Sequence, residues 1–113
     1  MKARTKRILL NAGAYYPLLH LRGLPNMINW IRGGCPSPAP YTVKMQVIRY
    51  YLRQFYLTQF VETGTFTGET LEYIARTGVH CISVELSDNL FSLAQRRFKR
   101  YGNVTLIKGD SGL

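Results

Sequence analysis

Between Tyr41 and Phe55 the apolar residues Val43, Val47, Ile48, Tyr51, Leu52 and Phe55 recur at spacings of three and four, with Lys44, Arg49 and Arg53 between them. That period predicts an amphipathic helix whose apolar stripe packs on a core and whose outer face is basic. Beyond it the pattern alternates. Phe60-Val61 reads as a short strand, Leu71, Ile74 and Ala75 as one face of a helix closed near Gly78, and Val79 to Val84 as a β-branched strand ending at Glu85. Ser87 is placed to cap a second helix that carries Leu90, Ala94 and Phe98 on one face and stops at Gly102, before a third strand over Val104 to Ile107. The order βαβαβ predicts an α/β fold: a parallel half-sheet with right-handed crossovers.

The first forty residues read differently. Leu18, Leu19, Leu21, Leu24, Ile28, Trp30 and Ile31 are apolar, but Pro17, Gly23, Pro25, Gly33 and Gly34 predict short, broken helices. The run from Gly33 to Pro40, with prolines at 36, 38 and 40, excludes helix and central strand alike. Residues 1–40 are therefore expected to be a basic segment with a Pro/Gly-rich linker, and 41–113 the folded domain.

Charge sharpens this division. The formal net charge is +9, yet no carboxylate precedes Glu62, while nine basic residues do. From Glu62 onward, acids and bases balance. The N-terminal half is thus a solvated basic face or a contact for nucleic acid or an anionic membrane surface, with nucleic acid not favoured. Cys35 and Cys81 form neither a disulfide framework nor a set with metal-ligand spacing, so reduced thiols in the cytoplasm are expected and no metal is. The basic start followed by Ile8-Leu-Leu imitates a signal peptide, but Asn11, Gly13, Pro17 and His20 interrupt it. No apolar run reaches the ~20 residues of a membrane span.

In a parallel α/β sheet, ligands bind beyond the carboxyl ends of the strands. All three ends here are polar. The first is Glu62-Thr63-Gly64-Thr65-Phe66-Thr67-Gly68, where Gly64 permits a turn and close approach of a ligand, and Gly68 starts the next helix close to the strand. The second end is Glu85, which can accept from both hydroxyls of a ribose. The third is Gly109-Asp110-Ser111, whose carboxylate can accept from an exocyclic amine such as that of adenine. Separately, these residues describe any tight strand-to-helix turn and ordinary helix N-terminal carboxylates. Together they describe a site for a nucleoside with an anionic tail. Gly64-x-x-x-Gly68 fits the G-x-G-x-x-G of dinucleotide binders poorly. His20 and His80 have no carboxylate or ligand partner at useful spacing, so no catalytic base is assigned.

On these motifs the sequence resembles the class I S-adenosylmethionine-dependent methyltransferases. Phe60-Val-Glu-Thr-Gly-Thr-Phe-Thr-Gly-Glu-Thr70 is similar to the family's first motif, with Phe66 in place of the usual middle glycine; Ile82-Ser-Val-Glu85 is similar to the second, and Leu106-Ile-Lys-Gly-Asp-Ser111 to the third. Pro40-Tyr-Thr-Val-Lys44 before the helix further resembles bacterial methyltransferase-like proteins of unassigned substrate. The resemblance implies a Rossmann-like fold with S-adenosyl-L-methionine as cofactor. The methionine end would lie on the backbone around Gly64, flanked by Thr63 and Thr65 and ordered by Glu62. The ribose would lie on Glu85, and the adenine amine on Asp110 beside Ser111. Because the family's fold has about seven strands, the chain is expected to be its N-terminal half, truncated before the acceptor pocket, with catalytic residues unknown and little turnover alone. The open sheet edge beside the third strand is then expected to take a partner chain or a second copy.

Overall fold

The structure is a computed structural model describing residues 2–11 and 13–112, with side chains except at positions 10, 15, 16, 19 and 20. Its elements are α1 (Ala3–Asn11), α2 (Tyr15–Arg32), α3 (Tyr41–Gln54), β1 (Gln59–Thr63), α4 (Glu69–Ala75), β2 (His80–Glu85), α5 (Asp88–Arg97) and β3 (Val104–Lys108). They fall into two compact units, Met1–Ile48 and Arg49–Leu113, so that α3 starts in the first and finishes in the second.

In the first unit the expected broken helices are replaced by one: α2 runs for 18 residues through Pro17, Gly23 and Pro25. Pro17 lies in the first turn, where a missing N–H leaves no intrahelical acceptor unpaired. Gly23 is a packing position rather than a breaker, since a Cβ there would lie 2.0 Å from Thr42 Oγ1. Pro25 removes one donor from the ladder without ending the helix. At the far end, Gly33 N–H donates to Asn29 O (3.0 Å), Cys35 N–H to Trp30 O (3.0 Å) and Trp30 Nε1 to Pro36 O (2.6 Å), folding the linker back onto the last turn. Residues 33–40 contain neither helix nor strand, as the prolines require.

α3 forms where the period placed it, but with a different face inward. Leu52 of the expected stripe is buried, as are Thr42 and Met45 outside it, whereas Val47, Tyr51 and Phe55 of the stripe are exposed. Arg49 shares the buried row by helical spacing and donates from Nη1 to Tyr73 Oη (3.4 Å). A hydrophobicity count misses such a row because half of it is polar.

Among the described residues the sheet has three strands, in the order β1-β2-β3, both pairs parallel. The register sets Phe60 beside Cys81 and Cys81 beside Val104, then Glu62 beside Ser83 and Ser83 beside Leu106. This face is the covered one: Cys81, Ser83 and Glu85 are buried, as are Leu71, Ile74 and Ala75 of α4, Ala94 of α5 and Phe98 just after it. The other face carries Val61 and Ile107, both exposed. Sequential order also gives the sheet two open edges, β1 as well as the expected β3.

Candidate functional site

The ladder continues past the strand ends and ties them together. Gly64 N–H donates to Val84 O (2.7 Å) and Gly109 N–H to Glu85 O (3.1 Å), so the glycine loop, Glu85 and the Gly109–Ser111 turn lie along one carboxyl edge. Glu62 sits at the end of β1 on the covered face and accepts from Ser83 Oγ (2.9 Å). Ser83 has a single proton, so Thr65 Oγ1, 2.6 Å away, donates to it. This buried chain pins the start of the loop. Thr63 and Gly64 remain exposed; Gly64 has φ +81°, and a Cβ added there would meet nothing within 4 Å.

Phe66 stands where the resembled motif has its middle glycine, and its backbone is one that glycine adopts most readily. Its φ is +50°, in the left-handed region. Its amide donates to Glu85 Oε2 (3.0 Å), while Ser87 N–H donates to Glu85 Oε1 (2.8 Å). Glu85 is only 6% exposed, yet its carboxyl is held below the usual range. The Ser87 amide is the leading cause, and the amides of Phe66, Leu86 and Thr65 add to it, together outweighing burial. An ionised carboxylate has about four lone-pair sites, so each oxygen keeps acceptor capacity after its amide. Asp110 and Ser111 are exposed, and Asp110 Oδ1 accepts from Gly112 N–H (2.8 Å).

A second cluster, which the sequence reading missed, braces the loop from behind. Arg97 of α5 donates from Nε to Glu72 Oε2 (2.8 Å), from Nη2 to Glu69 (3.3 Å) and Glu72, and from Nη1 to Thr67 O within the loop. Tyr101 Oη donates to Glu72 Oε1 (3.0 Å). Gly68, φ +81°, lets α5 approach: a Cβ would lie 2.8 Å from the Phe98 ring. The available signal was Glu69 and Glu72 in the first turn of α4 facing Arg97 in the last turn of α5. Only the crossover brings them together.

Other flagged residues play no part in this edge. His80 lies 3.4 Å from Thr105 Oγ1; the His20 side chain falls outside the described residues. Lys44 is exposed on α3. The Cys81 thiol is buried and pushed up to about 11, first by burial and then by the Glu62 carboxylate, which makes it a poor nucleophile. Among the described residues no helix is long and apolar enough to cross a membrane.

A glycine loop and two strand-end carboxylates thus lie on one edge of a parallel sheet, the edge at which α/β folds place their ligands. No family model matches the sequence, nor does any curated protein. Among solved structures the chain is similar to a Klebsiella pneumoniae protein described as an O-methyltransferase, with 21% identity and a TM-score of 0.53 over 75% of this chain and 41% of that one. It is also similar to a Staphylococcus aureus protein described as a caffeoyl-CoA O-methyltransferase, with 16% identity and a TM-score of 0.58 over 94% of this chain and 51% of the other. The chain thus shares the α/β, Rossmann-like fold of part of these structures, and spans about half their length or less.

Proposed function

We propose that the carboxyl edge of this sheet binds S-adenosyl-L-methionine, as the cofactor portion of a methyltransferase. The observation that carries the reading is the joining of Glu85 to the glycine loop: an ionised carboxylate at the end of β2 bonded to the Phe66 amide, beside a Gly64 open to approach. The donor set fits the group. Glu85 offers acceptors to two ribose hydroxyls, and Asp110 offers one to the adenine amine. The exposed backbone at Thr63 and Gly64 faces the amino-acid end, with Glu62 held in place by Ser83. When bound, the cofactor supplies an activated methyl on a sulfonium. The chain's residues bind and orient it, fixing the direction in which the methyl is presented. Both similar structures are described as O-methyltransferases, which supports oxygen as the acceptor atom. We assign cofactor binding to this edge, from Glu62 to Ser111.

Isothermal titration with S-adenosylhomocysteine tests this. Binding is expected, and Asp110→Ala and Glu85→Ala should each weaken it about tenfold or more, the loss of one or two hydrogen bonds to a charged acceptor. Asp110 is exposed, so its variant leaves the fold intact. Absence of heat with the unaltered chain at near-millimolar ligand refutes the reading.

A further inference from the structure

We infer that α2 is an interfacial helix that seats the chain on an anionic lipid bilayer, a property independent of the cofactor reading. Leu18, Leu21, Leu24, Ile28 and Ile31 follow one another at spacings of three and four, so they line one side of this helix, and all five are between 38% and 60% exposed. The adjoining side holds the packing positions: Gly23 against Thr42, with Met27 and Trp30 half-buried. α2 therefore has two apolar faces, and only one is used inside its unit. An unused stripe of five branched aliphatic side chains has an unfavourable contact with water.

Charge selects the occupant. Arg22 and Arg32 lie on α2 itself, and Lys2, Arg4, Lys6 and Arg7 on or beside α1, which contacts α2. No carboxylate occurs before Glu62. A second copy seated on this stripe would bring two carboxylate-free basic surfaces together. A nucleic acid would use the arginines and lysines but leave the leucines and isoleucines in water. A bilayer with anionic headgroups satisfies both features: the aliphatic side chains enter the headgroup–acyl boundary while the cations meet phosphate. At 18 residues with prolines inside, α2 lies along the surface rather than across the membrane.

Co-sedimentation of the whole chain with vesicles tests this. The chain is expected to partition onto vesicles of phosphatidylcholine mixed with phosphatidylglycerol and not onto phosphatidylcholine alone. The Leu21→Ser/Ile28→Ser variant, with unchanged charge, should lose about tenfold or more of this binding. Arg22→Gln/Arg32→Gln should lose about thirtyfold, since each cation near such a surface contributes about fivefold. Circular dichroism identifies any variant that loses helix, and the comparison of the two vesicle types with the unaltered chain needs no variant. No partitioning onto anionic vesicles overturns the inference. So does partitioning that a folded L21S/I28S variant retains. DNA binding without vesicle binding would identify a nucleic-acid surface instead, and a dimer dissolved by L21S/I28S without vesicle binding would identify a contact between copies; either result overturns it too.

Discussion

Removing the Arg97 side chain is the most direct way to ask whether the glycine loop depends on its brace. In Arg97→Ala, Glu72 keeps the Tyr101 hydroxyl but loses the guanidinium, and Thr67 O loses its donor. The side chains are 23% and 6% exposed, so the carboxylate is the buried partner and the arginine is partly reached by water. Breaking a fully buried ion pair from one side costs about 3–5 kcal/mol. Solvent at Arg97 and the remaining Tyr101 bond reduce this to about 2–3 kcal/mol. Replacing both partners, as Arg97→Ala/Glu72→Leu, removes both charges of the buried pair and should cost distinctly less than the sum of Arg97→Ala and Glu72→Leu alone. Urea unfolding of the four proteins gives the cycle, and constant m-values verify that each midpoint shift is a stability change. A loss below about 0.5 kcal/mol for R97A, or additivity within that margin, would falsify the assignment of a coupled buried brace. A brace acting on the loop also predicts weaker S-adenosylhomocysteine binding in R97A at temperatures where the variant is still folded.

Two further outcomes follow from the loop. Phe66 has an exposed side chain and a left-handed backbone, so Phe66→Gly should raise stability by about 0.5 kcal/mol, strain relief slightly exceeding the added chain entropy, whereas β-branched Phe66→Val should lower it by about 1 kcal/mol; thermal melts that rank glycine below valine contradict the backbone argument. Because the Glu85 carboxyl is held below its ordinary value in the folded chain, its contribution is present above the usual carboxylate range and is lost as pH falls through the lowered folded value. Stability measured from neutral pH downward should therefore decline less steeply in Glu85→Gln than in the unaltered chain, and parallel acid limbs would remove the amide-bonded carboxylate from the account.

Local chemistry made much of this protein legible in its residues. The patterns after Phe60 place β1, β2 and β3 to within a residue or two and give α4 and α5 in the right order, although the helices end at Ala75 and Arg97, short of Gly78 and Gly102; Ser87 caps α5 as read, accepting from Leu90 N–H. Strand ends are legible for the same reason: a polar residue closing a β-branched run marks where the strand leaves the sheet. Glu62, Gly64, Gly68, Glu85 and Asp110 accordingly fall on one carboxyl edge. Tertiary packing decided the rest. Gly23 looks like a breaker until Thr42 stands against it, and the inward face of α3 includes Thr42 and Arg49, which no apolar count selects. Propensity is a few tenths to ~1 kcal/mol per residue, less than the packing and pairing that override it. The bonds from Arg97 to Thr67, Glu69 and Glu72 join residues about one crossover apart, and their partners are set only when the sheet forms. So the positions of the candidate site belong to the sequence, while the loop's conformation, its junction with Glu85 and the brace behind it exist only in the folded chain.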